Sequence, residues 1–262
     1  MKKYMPLILL LAISLSSCEE VIDVRLAGSA PVLVAEGSIL HDSVCSIKLT
    51  YTSNYFDTAR YVPEENARVS LMSDDERFEI LEYQGEGLYQ GNIIRGKPGF
   101  EYTLNISAGG NEYQAVSLLN PRPELLHIAY EILDVPHFSG ETIYTIKNVI
   151  IDKTPEESYY LLKYHRNGKI LNDYFSTYND TYLKADTIVY SDYRLDFYRT
   201  DTVKVDLYAI DRATYIYFNL VNDVLFSSMS ASTPYNPSSN FSGDILGYFM
   251  AASVDSETII IQ

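Results

Sequence analysis

The chain has 262 residues and carries 35 acidic against 20 basic side chains, a formal net charge of −15. A surface so acidic repels phosphate backbones and anionic headgroups, which argues against nucleic acid and against docking flat on a membrane. Only two cysteines are present, so stability has to come from a core, and a chain of this length can bury one.

Lys2 and Lys3 open the chain, and residues 7–15 are apolar. A permanent membrane helix needs about 20 apolar residues, so this shorter run reads as a secretory signal. Leu15, Ser16, Ser17 and Cys18 match the bacterial lipobox, in which the cysteine thiol is alkylated with diacylglycerol and becomes the first mature residue. Several acyl chains anchor stably, because each buried methylene contributes about 0.8 kcal/mol. The expectation is a signal peptide over 1–17 and a lipidated tether over 18–26, with Cys18 the lipidation site. Glu19 and Glu20 are compatible with export to the surface; the leaflet, periplasmic or cell-surface, is left open.

Strand-like alternation then recurs between turn residues. The segments are 31–39, 44–51, 67–73, 77–83, 87–94, 100–107 and 111–119. In 100–107, Phe100, Tyr102, Leu104 and Ile106 alternate with Glu101, Thr103 and Asn105, a pattern that buries one face of an antiparallel sheet. Cys45 shares a side with Ile47 and Leu49 and reads as a small buried apolar residue. Pro121 and Pro123 break the pattern and mark a domain boundary over 120–124.

Further strands are predicted over 125–133, 142–152, 158–166, 169–177, 181–191, 192–200 and 202–210, with Asn167-Gly168 as a hairpin turn. Ala213, Ile216, Tyr217, Leu220, Val221, Val224 and Leu225 recur at helical spacing behind Asp211 as N-cap, predicting a helix over about 212–229. A loop rich in Ser, Pro and Asn leads to two last strands, 245–253 and 257–262. The fold class that follows is mainly β. An N-terminal immunoglobulin-like β-sandwich over 27–120 precedes a second antiparallel β-rich domain over 125–262 with one amphipathic helix.

Chemistry is sparse. His41, His127, His137 and His165 stand apart at no metal-ligand spacing, and no HExxH, GxSxG, Walker or GxGxxG motif occurs. No catalytic residue, metal or cofactor is therefore expected. Asp74, Asp75 and Glu76 lack the alternation of a calcium loop and read as a solvated turn. Carboxylates are numerous enough for a surface hydrolase to stand as an alternative. The unusual feature is 24 tyrosines with no tryptophan. Tyr174, Tyr178, Tyr198 and Tyr208 fall out of step with the apolar set and are candidates for a platform that holds a glycan or peptide.

Taken together, the lipobox with Cys18, the segments 31–39, 67–75, 87–91, 99–107 and 113–123, and the closing 243–253 resemble the Bacteroidota lipoproteins grouped as domain-of-unknown-function 4249. The most specific of these is Leu246-Gly247-Tyr248-Phe249, in which Gly247 permits close backbone approach while Tyr248 and Phe249 take opposite faces. That resemblance implies a non-enzymatic outer-membrane lipoprotein encoded beside a TonB-dependent receptor and assisting nutrient uptake. A structural or adhesive surface role is the alternative.

Overall fold

The computed structural model describes residues 30–53, 61–133, 141–172, 174–181, 185–227 and 235–262. The segments expected as signal peptide and tether, with Cys18, and His137 lie outside the described residues.

Alternation builds the first half. β1 (Leu33–Leu40) and β2 (Val44–Tyr51) form a hairpin, and β3 (Val62–Pro63) adds to the edge of β2. β4 (Arg68–Ser73) and β5 (Phe78–Ile80) pair in one sheet, while β6 (Glu82–Gly85) pairs with β7 (Leu88–Arg95) in another. The sequence pattern predicts one strand over 77–83; the structure switches sheets at buried Leu81, a corner between packed sheets. β8 (Glu101–Ala108) and β9 (Asn111–Leu118) complete the four-stranded sheet in the order β5-β4-β8-β9. It faces β1, β2, β7 and β6 across a core of Cys45, Ile47, Leu49, Leu71, Leu104 and Ile106, all fully buried.

The second half repeats the principle with different parts. β10 (Glu124–Ile132), β11 (Tyr144–Ile151) and β15 (Thr187–Ser191) form a three-stranded sheet. β12 (Tyr159–Arg166) turns through Asn167 and Gly168, both at positive φ, into β13 (Lys169–Ile170). The single strand predicted over 169–177 is two: β13, then β14 (Ser176–Asn179), each pairing with a different stretch of β12. β16 (Thr202–Ile210) follows, then α1 (Arg212–Ser227) and β17 (Leu246–Ile260).

Residues 192–200, predicted as a strand, are turns. The Asp192 carboxylate accepts the backbone N–H of Arg194 at 3.1 Å and Asp201 accepts that of Tyr198 at 2.9 Å, so side chains replace the ladder.

β17 joins the halves. The two strands predicted at the chain end are one, because residues 254–256 continue extended with no turn. Its first half runs parallel to β1, Val34 opposite Leu246 through Leu40 opposite Ala252. Its second half runs antiparallel to β16. The result is a ten-stranded sheet, ordered β13-β12-β16-β17-β1-β2-β7-β6, with β14 beside β12 and β3 beside β2.

At the expected 120–124 boundary, Leu119 enters the first core and Leu125 the second. The backbone does not separate there. Phe241, Ile245, Phe249 and Ala251 return to the first core, and hydrogen bonds from Asn120 to Ile210 O (2.9 Å) and from Ser253 to Asn120 O (2.7 Å) pin the segment. Residues Pro31–Gln262 thus form one compact unit, and the end of 125–262 belongs to both halves.

Helix α1 starts where expected. Asp211 accepts the Thr214 N–H at 2.7 Å, satisfying an orphan donor of the first turn. Its buried face differs from the predicted stripe: Thr214, Phe218 and Asn222 are inside, while Ala213, Ile216 and Leu225 are exposed. The inward polar residues explain the rotation. Asn222 donates to Phe175 O at 2.7 Å and accepts its N–H at 2.9 Å, so a clamp to the β13–β14 segment replaces an apolar contact. The helix covers Leu161, Ile210, Met250 and Ala252 on the outer face of the long sheet.

Candidate functional site

The break between β13 and β14 leaves the middle of β12, at Lys163, without a strand partner on that edge. Leu171 N–H still reaches Tyr164 O at 2.8 Å, and β14 resumes pairing at Leu162. A cleft of about 340 Å³ opens there, bounded by β12, α1 and the outer face of β1 and β17. That volume lies near the lower end for small-ligand sites.

One wall is aromatic. Phe175 packs on Phe218 with ring centroids 4.6 Å apart, Phe218 on Tyr248 at 4.9 Å, and Tyr248 on Tyr217 at 5.2 Å. Such tilted pairs are each worth roughly 0.5–1.5 kcal/mol beyond their area, so the wall is rigid. Burial, then the nearby Glu36 charge, pushes the Tyr217 phenol up to about 12 and raises that of Tyr248 further. Both remain neutral hydroxyls at physiological pH.

Two opposite charges line the same cleft. Lys163 sits in β12 opposite Asp206 of β16, with its ammonium 5.1 Å from the centre of the Tyr208 ring. Burial lowers its pKa, and the Asp206 charge opposes that only in part. Asp206 is already committed: it accepts from Ser256 at 2.5 Å and from Lys204 at 2.7 Å, and contacts His165 Nε2 at 2.8 Å. Burial alone would raise the Asp206 pKa; these hydrogen bonds outweigh it and hold the carboxylate below its ordinary range. The second charge is Glu36 of β1, exposed and flanked in register by Lys48 and Tyr248. Neither Glu36 nor Lys163 has an ion-pair partner within 4.0 Å among the described residues. Glu36 also borders a neighbouring hollow with Lys48, Thr50 and Tyr61.

The four tyrosines expected to form a platform do not converge. Tyr174 lines the cleft and is stacked by the Arg194 guanidinium at 4.2 Å. Tyr178 packs on Tyr190 at 5.4 Å, against the second core. Tyr198 lies under Arg166 at 5.9 Å. Tyr208 is half-buried among the residues that α1 covers, and burial pushes its phenol up to about 12.

The Ser256, Asp206 and His165 side chains are types used in nucleophilic catalysis, but their order differs from a triad. The aspartate stands in the middle and binds both neighbours, whereas activation of a serine needs the histidine there. Other buried carboxylates are similarly occupied with structure. Asp152 accepts from Thr154 and from the Tyr160 hydroxyl at 2.9 Å, and Asp192 from Arg194 and Ser176. Cys45 is buried, and burial followed by the Glu79 charge raises its thiol pKa, which makes it a core residue rather than a nucleophile. No group of three or more His, Cys, Asp or Glu is placed to hold a metal ion among the described residues.

A larger hollow, about 580 Å³, lies beside the 120–124 segment. Its Arg122 pairs with Asp255 at 2.7 Å, and its Asp211 caps α1, so these groups hold the linker.

A family model described as Domain of unknown function (DUF4249) matches residues 19–258. The chain belongs to the DUF4249 family. A search of curated proteins finds no match. Among solved structures, "Crystal structure of chicken CNTN1 FN1-FN3 domains" is similar at 8% identity, covering 89% of this chain and 67% of that one. Its TM-score is 0.26, a likeness too weak to carry an argument.

Sequence reasoning about this DUF4249 chain reached Tyr248 through the opposite faces of Tyr248 and Phe249, and the structure places them so: Phe249 in the first core, Tyr248 toward α1. It missed Lys163 and Glu36. The available signal was a lysine at an apolar-flanked strand position, Leu161-Leu162-Lys163-Tyr164, whose inner neighbours are fully buried.

Proposed function

We propose that this chain is a non-enzymatic lipoprotein, anchored to the outer membrane through Cys18, that captures a ligand as the accessory of a TonB-dependent transporter. The observation that carries the reading is the cleft beside α1, where an aromatic wall meets a lysine and a glutamate with no ion-pair partner among the described residues. Binding sites combine apolar walls with a few placed polar groups in this way. The lipobox supplies the anchor, and the resemblance to lipoproteins encoded beside such receptors supplies the partner.

A second reading, an adhesive surface protein, draws on a different feature. The outer face of the four-stranded sheet exposes Met72, Phe78, Ile80, Val116 and Leu118. A deletion strain separates the two. Accessory function predicts lost growth on the transporter's nutrient, with Cys18→Ala reproducing the loss because the unacylated chain leaves its partner. Normal growth combined with impaired attachment to surfaces contradicts it and supports adhesion.

A further inference from the structure

We infer that the cleft beside α1 binds a short peptide by its termini. The C-terminal carboxylate meets Lys163, the N-terminal ammonium meets Glu36, and an apolar side chain rests on Phe175, Tyr217, Phe218 and Tyr248. This inference rests on the ligand-capture reading above and names its ligand class.

The lysine carries the first half. An ammonium withdrawn from water is costly unless an anion or hydrogen-bond acceptors replace its hydration. Lys163 has the face of Tyr208 and a cross-strand aspartate whose oxygens are taken by Ser256, Lys204 and His165. Its lowered pKa reports the same deficit. A carboxylate entering from the cleft supplies the missing counter-charge, and a charge-assisted hydrogen bond there is stronger than in water.

Glu36 carries the second half. It stands opposite Tyr248 in the β1–β17 register and lines the same cleft as Tyr217 and Tyr248, which puts it at the aromatic wall. An ammonium near those ring faces gains from both the carboxylate and the aromatic quadrupoles.

The whole chain's charge then selects the class. At a net −15, an anionic ligand enters against a repulsive field. A neutral glycan uses the aromatic wall but leaves both charges uncompensated. A zwitterion matches one charge with each and carries no net charge into the field. About 340 Å³ admits a few residues of extended chain, not a folded protein.

The test is isothermal titration calorimetry of the full-length protein in mild detergent with an alanine–phenylalanine–alanine tripeptide. The free peptide is expected to bind, its C-terminally amidated form at least tenfold more weakly, and its N-acetylated form more weakly than the free peptide. Lys163→Met should abolish the discrimination against the amide, and Lys163→Arg should restore it. Glu36→Gln, at an exposed position that does not threaten folding, should abolish the discrimination against the acetylated form. Equal affinity for all three peptides, or none for any, overturns the inference. Binding of a neutral oligosaccharide that is lost in Lys163→Met and Tyr248→Ala, with no peptide binding, also overturns the ligand class while leaving ligand capture standing. If neither probe binds and the deletion strain still grows on the nutrient, ligand capture falls as well.

Discussion

Replacing Glu79 by alanine is expected to destabilise the fold by about 3–5 kcal/mol, read as a lower denaturation midpoint in guanidinium. Glu79 lies in β5 and points into the first core, where it is 4% exposed. Opposite it, β7 makes a wide excursion: Val44 pairs with Arg95 but Ser46 pairs with Gln90, so residues 91–94 leave the ladder. Their amides turn inward, and the Glu79 carboxylate accepts three of them, from Asn92 at 3.0 Å, Ile93 at 2.8 Å and Ile94 at 3.2 Å. The Ile94 bond is buried and the other two are partly so; a buried N–H deprived of its acceptor costs roughly 1–3 kcal/mol, more where the acceptor was charged. Gly91 belongs to the same device, since a Cβ there would overlap the Glu79 carboxylate. Glu79→Gln keeps one acceptor oxygen and should fall between wild type and alanine. A Glu79→Ala midpoint within about 1 kcal/mol of wild type would show that the bulge finds other acceptors.

Gly247→Ala is expected to have a comparable effect by steric means. Gly247 stands at φ +98° in the strand that joins both halves, opposite Ala35 of β1. A Cβ would overlap the Ala35 carbonyl oxygen, a backbone atom in the middle of the ten-stranded sheet. The left-handed conformation costs a side chain roughly 1–3 kcal/mol, and overpacking adds roughly 1–3 kcal/mol. Gly110→Ala isolates the first of these, because Gly110 is at φ +80° with open space around it. The expected order is a loss of about 1 kcal/mol at Gly110 and about 3–5 kcal/mol at Gly247. Equal losses would mean that β1 and β17 can move apart freely, against the parallel pairing described above.

Much of the strand content was legible because burial follows period two wherever one face meets a core. Tyr102, Leu104 and Ile106 are fully buried, as their alternation predicts, and Cys45 is inside with Ile47 and Leu49. The hairpin at Asn167-Gly168 was legible for a local reason, the positive φ both residues tolerate. Where one pattern served two sheets, it misled. In residues 77–83 the adjacent Ile80 and Leu81 mark the change of sheets, and the apolar Phe78 and Ile80 face outward while Glu79 and Leu81 are inside, the reverse of what hydropathy suggests. The turns of 192–200 were hidden because Asp192 and Asp201 bond to backbone amides, which hydropathy does not register. The face of α1 was misjudged for a related reason, the inward Thr214 and Asn222. The parallel partner of β1 lies more than 200 residues away, beyond any local signal. The cleft is long-range in the same sense: Glu36, Lys163, Tyr217 and Tyr248 come from four separate elements. Their meeting depends on how β17 is inserted. Tyr208, flagged for being out of phase, answers to a second buried face beneath α1.

The proposed place of this chain beside a transporter is tested most directly by cross-linking intact cells and capturing the tagged, full-length protein from their outer membranes. The account predicts that a TonB-dependent receptor is recovered with it, and that Cys18→Ala abolishes the recovery. Capture of the acylated chain with no outer-membrane receptor attached would contradict it.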